Sequence, residues 1–297
     1  MIQYKLLIPV ILLCLPYTGI AQQRLELGGL LGGSFYQGDI LGQSVTEISP
    51  NIHGSLSLQA GYFLNNHLGF RFSTGYGKIS GGDKYSELPW RQQRNLSFHS
   101  NMYNAGIRVE YNVTGFNPDE GKNFTVYPFL GLHQVFFDPK TEYKGVEYRL
   151  QPLGTEGQGL SKYPNLKPYK LNVPAINYGA GLRIAVTKQV SLGFEFSIFR
   201  TYSDYLDDVA GYYVPYTDIM QEKGDLIAAA LSSREGELTN MDQIVLKKNN
   251  EIRGNGKVYD YYYQFGLTFA YHFFDPFVEK AKKGYSRRKT PVNCFKF

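Results

Sequence analysis

Six ionisable residues stand where an alternating pattern gives them no apolar face to share: Glu26, Arg71, Arg108, Glu110, Arg183 and Glu195. Each falls on the polar parity of a segment whose alternate residues are apolar, so all six point to one side of the sheet those segments build. Three carboxylates and three guanidiniums in one narrow enclosure have two uses. They can pair and plug it, because a buried charge left alone costs several kcal/mol. Or they can line an ion path or ligand site, with Arg71, Arg108 and Arg183 setting an anion preference. Pairing as a plug is the expectation.

Other chemistry is thinner. Asp204, Asp207 and Asp208 offer hard oxygen ligands for calcium, but without the glycine-punctuated spacing of a calcium loop. A solvated loop, or a salt bridge to a neighbouring loop, is the expectation there. Of the histidines, His53, His67, His99, His133 and His272, only His99 is easily placed at an external rim, and a rim enzyme would need it or another histidine beside a serine or aspartate in the folded barrel. Gly154, Gly157 and Gly159 follow too poor a strand to cradle phosphate. The expectation is a protein with no catalytic residues, no metal and no cofactor.

The elements that must position the six charges are strands. From Tyr259 to Phe273 the odd positions are all apolar or aromatic, and the even ones mostly polar or small. That run is far longer than the ~5–6 residues usual for a soluble strand. Tyrosines lie toward its ends, and Phe265, Leu267 and Phe269 in the middle, as a lipid-facing strand with aromatic girdles requires. Seven more runs show the same signal, at about 25–37, 51–63, 68–77, within 95–111, 124–136, 173–186 and 190–198. The fifth is the least regular, with apolar residues on both parities and Pro128 inside it.

Short links follow the second and sixth runs and a moderate one the fourth, whereas those after the first, third, fifth and seventh are long. That alternation predicts an all-β fold: a single eight-stranded antiparallel transmembrane barrel with short periplasmic turns, long extracellular loops and both termini in the periplasm. Eight strands leave an interior just wide enough for side chains or one small ligand. The aromatic content of 15% fits, and a mean hydropathy of −0.31 is no objection when only alternate residues face lipid.

Residues 1–21 read as a secretory signal: Lys5, an apolar stretch from Leu6 to Leu15, and Gly19-Ile20-Ala21 before the cleavage point. The stretch is short of the ~20 residues a helical span needs. Ile11-Leu12-Leu13 before Cys14 lacks the small residue of a lipidation site, and removal of the signal leaves Cys294 with no intramolecular partner. The barrel is expected over 22–275, followed by a basic tail, 276–297. That tail carries Lys280, Lys282, Lys283, Arg287, Arg288 and Lys289 and no acidic residue after Lys280. It suits an acidic partner or anionic head groups. In an exported protein nucleic acid is not expected as the partner.

Five stretches together resemble the PorG/SprG-like outer-membrane barrel of the type IX secretion and gliding system of Bacteroidota. They are Gly33-Ser34-Phe35-Tyr36-Gln37-Gly38-Asp39, Arg94-Asn95-Leu96-Ser97-Phe98, the segment 151–159 (QPLGTEGQG), the segment 201–209 (TYSDYLDDV) and Arg253-Gly254-Asn255. The resemblance covers most of the mature chain and is most specific in the two loop segments. It implies a non-enzymatic barrel in outer-membrane lipid that associates with periplasmic ring proteins of PorK/PorN type and takes no small-molecule substrate. The expected function is an accessory or anchoring role in secretion, with the turn around Phe116 to Lys122 and the basic tail engaging the partner. The alternative is a small porin or ligand-binding barrel working through its lumen. The aromatic residues Tyr202, Tyr205, Tyr212, Tyr213 and Tyr216 suggest external loops packed on one another.

Overall fold

The computed structural model describes residues 24–42, 44–239, 245–256 and 258–274. The signal segment 1–21, both cysteines and the six basic residues of the tail therefore lie outside the described residues. Ten strands form one sheet: β1 (Arg24–Gln37), β2 (His53–Phe63), β3 (Leu68–Gly82), β4 (Ser97–Tyr111), β5 (Phe124–Phe136), β6 (Lys140–Tyr143), β7 (Val146–Arg149), β8 (Asn172–Ala185), β9 (Val190–Thr201) and β10 (Tyr261–Phe274). All pairings are antiparallel. The order β3-β2-β1-β10-β9-β8-β5-β4, with β3 also paired to β4, closes eight of them into a barrel and removes its sheet edges.

The closing seam joins the ends of the chain: Arg24 is opposite Phe274 and Gln37 opposite Tyr261. Close approach along it depends on glycine. A Cβ on Gly32 would stand 1.9 Å from the Phe265 carbonyl oxygen and 2.4 Å from the Gly266 Cα. Side chains larger than hydrogen are excluded at that point.

Alternation sets the two faces as expected. Leu31 and Leu267, opposite one another in the seam, are 70% and 71% exposed. Leu56, Leu58, Phe70, Phe72, Ile107, Val109, Leu130, Leu132, Leu182, Ile184, Leu192 and Phe194 join them in a continuous outward apolar belt. Tyrosines 62, 76, 103, 111, 178 and 271 also face outward. An exposed apolar band around a closed barrel is stable only in lipid, so this is a barrel of the outer-membrane type. Among the described residues no helix is long and apolar enough to cross a membrane.

Pro128 sits within β5 without breaking it. The β4 ladder stops at the Glu110–Phe129 pair, before Pro128 is reached. Val126, two residues earlier, turns its carbonyl to that same side, toward the Val113 amide beyond β4. The missing N–H therefore falls on the β4 side, at the point where that ladder ends, and the pairing with β8 runs through Pro128 unbroken.

Links at one end of the barrel are short, with chain reversals at 64–67 and 186–189 and a longer turn at 112–123; Arg24 and Phe274 lie at this same end. At the other end lie the four long links. They carry short helices, Val45–Ile48, Pro89–Arg94, Leu150–Leu153, Tyr216–Lys223 and Leu226–Ser232, and a hairpin that the eight-run pattern did not include. That hairpin, β6–β7, turns on Lys144 and Gly145, both at positive φ (52° and 78°). The loop-end core gathers Tyr36, Ile40, Leu41, Ile79, Phe98, Phe137, Tyr169, Phe199, Leu206, Val209 and Tyr262.

Candidate functional site

The six charges predicted for the lumen are all buried inside the barrel, and every one has an ionic partner. They form two groups. In the first, Arg71 donates from Nε to Glu110 (2.7 Å) and from Nη2 to Glu26 (2.8 Å). Arg183 donates from Nη2 to Glu110 (2.6 Å) and from Nη1 to Glu26 (3.4 Å). Each arginine thus bridges the same two glutamates, a closed square in which every charge has two opposite neighbours. In the second, Arg108 meets Glu195 through both terminal nitrogens, at 2.7 and 2.6 Å. Tyr127 and Ser197 donate to the same carboxylate. Such forked pairs are the strong form of the interaction.

Residues beyond the six belong to this network. Gln59 accepts from Arg71 at 3.3 Å. The Phe129 ring lies 4.0 Å from the Arg108 guanidinium and the Tyr127 ring 4.6 Å from that of Arg183. Arg24 donates to the Phe116 carbonyl at 3.0 Å and lies over the rings of Phe63 and Phe116. Their signal was on the sequence as inward parity, but aromatics on that parity look like noise until the arginines they cover are placed.

Phe116 closes the turn end. The side chain is fully buried, packed against His272, Arg24 and Arg183. This corrects one expectation: of the turn 116–122, Phe116 is a floor to the lumen and has no surface to offer a partner. Asp119, Glu120, Gly121 and Lys122 are the exposed residues there.

Two histidines stand beside serines, the arrangement a rim hydrolase requires. His53 Nε2 is 2.7 Å from Ser80 Oγ, but Ser80 spends its only proton on Asn51 Oδ1 at 2.8 Å. His53 must then donate to the serine, and a donor cannot be its base. Ser191, His272 and Glu26 form a second chain, 2.9 and 3.3 Å apart, with all three fully buried above Phe116 and Glu26 already held by two arginines. It has the triad order without access to substrate. His99, the candidate from the sequence, bonds Glu147 Oε2 at 2.8 Å and helps Lys140 pin the β6–β7 hairpin.

At the loop end, Asp204, Asp207 and Asp208 depart from the solvated loop expected. Asp207 and Asp208 are buried. The cationic partner of Asp208 is Arg253, from the same long link (3.8 Å), whereas the neighbouring loop supplies the hydroxyls of Thr155 and Tyr169. Among the described residues no cluster of His, Cys, Asp or Glu is arranged to hold a metal.

The five segments quoted above meet in this cap. Tyr36 donates to Asp207, and Arg94 reaches the carbonyls of Asp39 and Arg253. Arg253 bonds Glu156 Oε1 at 3.0 Å and the Asp208 carbonyl at 2.7 Å. Asn255 N–H bonds Asp39 at 2.9 Å, and the amides of Ala210 and Gly211 bond Glu156. Burial dominates at Asp208 and Asp204. It pushes Asp208 up to about 6 against the pull of Arg253, and Asp204 up to about 9 with help from Asp39 and Asp207. The loops do pack on one another through aromatics: Tyr205 stacks on Tyr169 at 4.6 Å and Tyr213 is buried, while Tyr202 and Tyr212 remain exposed.

No curated protein matches the chain. Solved structures similar to it include the N-terminal β-barrel domain of Pseudomonas aeruginosa OprF, 11% identical with a TM-score of 0.35 over 85% of this chain and 98% of that one. Ail, the attachment invasion locus protein of Yersinia pestis, is 11% identical with a TM-score of 0.38, over 86% and 100%. A major outer membrane protein from Thermus thermophilus is 13% identical with a TM-score of 0.39, over 84% and 99%. The barrel itself rests on the strand pairing described above. The family model described as "Domain of unknown function (DUF6089)" matches residues 4–219, and the chain belongs to that family.

Proposed function

We propose that the protein is a non-enzymatic anchor in the outer membrane, an accessory component of a type IX secretion system that associates with a periplasmic ring of PorK/PorN type. In this reading both termini lie in the periplasm. The contact face is the turn end, with Asp119, Glu120 and Lys122, continued by the basic tail 276–297 and its Lys280, Lys282, Lys283, Arg287, Arg288 and Lys289.

One observation carries the reading: the lumen charges are satisfied by one another and covered by Phe116 below. A barrel whose interior is taken up this way works through its outer faces. The porin alternative needs Arg71, Arg108 and Arg183 free to attract anions, and each is bound to a carboxylate. The meeting of the five resembling segments in one cap adds weight, since it gives those loop residues a common structural task.

The test is mild crosslinking in native outer membranes followed by recovery of the tagged barrel. Ring proteins recovered in near-stoichiometric yield, and reduced when 280–297 is deleted, are the expected result. A barrel recovered alone would overturn the association, and unchanged recovery after truncation would remove the tail from it.

A further inference from the structure

The Tyr36 hydroxyl has more neighbours than protons. It lies 2.6 Å from Asp207 Oδ2 and 2.9 Å from Asp260 Oδ1, and it accepts the Asp39 N–H at 3.0 Å. A phenol has one proton to give and two lone pairs to fill. Two ionised carboxylates cannot both be satisfied by it, so one of the two aspartates supplies the missing proton.

Counting donors identifies which. Asp207 Oδ2 already accepts the Ile40 N–H (3.1 Å) and its Oδ1 the Val209 N–H (2.9 Å), the setting of a carboxylate. Asp260 Oδ2 accepts the Leu206 N–H (2.9 Å), but among the described residues its Oδ1 has Tyr36 alone. With the tyrosine proton on Asp207 and an Asp260 proton on the tyrosine oxygen, every atom of the bridge is used once. We propose that Asp260 is a neutral carboxylic acid in the folded protein, and that its proton latches the loop cap to the barrel rim and is released to water as pH rises.

The position suits a latch. Asp260 is the residue before β10, and its carbonyl accepts from the Thr201 amide and hydroxyl at the top of β9. The bridge thus joins β1, the β1–β2 link and both ends of the β9–β10 link. Gly38 packs so closely that a Cβ there would lie 1.9 Å from the tyrosine oxygen and 2.1 Å from Asp260 Oδ1. Among the described residues the charged groups around it come from each packed segment: Asp39 beside β1, Asp204, Asp207, Asp208 and Arg253 in the last link, Glu156 after β7, and Arg91 and Arg94 before β4. Burial first, then Asp207 and Asp204, hold Asp260 well above the usual carboxylate range. A group raised in this way favours the closed cap at low pH, and the advantage falls as pH climbs from the ordinary value toward the raised one.

The mature chain in detergent tests this through infrared difference spectra at neutral pH against Asp260→Asn, whose amide keeps a donor for Tyr36. Loss of a carboxylic-acid carbonyl band in the variant is expected; loss of carboxylate bands overturns the proposal. A calcium-induced shift of those carboxylate bands would also overturn it and make the cluster a cation site. Tyr36→Phe serves as a second variant. The acid band should move to higher frequency as its hydrogen bond is lost, and an unmoved band overturns the bridge. The latch itself is read from amide exchange at 36–41 and 206–210, as the ratio of wild type to Asp260→Asn. That ratio should rise by up to about tenfold per pH unit above neutrality. A ratio flat from pH 6 to 10 overturns the latch.

Discussion

Arg108 grips Glu195 with both terminal nitrogens, at 2.7 and 2.6 Å, in the lumen of a barrel whose outer surface faces lipid. The pair is separable from the Arg71–Glu110–Arg183–Glu26 square, and that makes it the cleaner probe of what the lumen charges contribute.

Removing one partner strands the other. Glu195→Leu should cost about 3–5 kcal/mol in urea unfolding of the refolded barrel. The double change Arg108→Met with Glu195→Leu should cost less than that single one, because no uncompensated charge remains. A double variant less stable than the single one would show the pair to be irreplaceable by apolar packing.

The belt has its own test at the seam. Leu267, opposite Leu31 and among the most exposed large apolar residues of the barrel wall, faces the hydrocarbon. Leu267→Arg should destabilise the barrel in lipid vesicles by about 2–4 kcal/mol if this is the bilayer midplane. An effect below about 1 kcal/mol would move the midplane elsewhere along the strand.

Phe116 should behave as a core residue although it sits in a turn. Phe116→Ala should cost about 3–5 kcal/mol and uncover Arg24, which now lies against its ring. Planar bilayers provide the second readout. Neither wild type nor this variant should pass current above background, because the charge square above the floor stays closed.

Among the described residues Arg253 is the cation that contacts Glu156 and Asp208 within the cap. Arg253→Met should leave both carboxylates without it and speed protease cleavage in the 211–256 link, while the barrel keeps its heat-shifted migration on gels. Asp208, raised to about 6, gives the sign of its pH dependence. Cap protection tied to this group falls as pH rises from about 4 to about 6 and is level above. Comparison with Asp208→Asn at each pH isolates it.

Much of this was legible because a barrel wall is a local object. Parity alone placed Arg71, Arg183 and Glu195 inward and Leu58, Phe72 and Ile107 outward. Strand β5 read poorly for a physical reason: Tyr127 and Phe129 point inward to cover arginines, so apolarity there marks the lumen rather than lipid. The β6–β7 hairpin had a signal in Lys144-Gly145 between two short polar strands, but no apolar face to announce it. The cap was legible only as tyrosine-rich loops packed on one another, and its buried carboxylates were not. Asp207 and Asp208 look like a solvated run in isolation, and only contacts with Tyr36, Thr155, Tyr169 and Arg253, from distant parts of the chain, make them interior.

The seam sets a clock on assembly. On the edge away from β2, residues 24–37 find their partners in 261–274, so the first strand exported must wait, unpaired on that side, for the last. Closing so long a loop is entropically expensive and slow compared with local pairing. Any chain cut short before Tyr261 would keep two raw edges and remain a client of whatever holds unfolded barrels in solution. Closure of the barrel is therefore decided at its final strand.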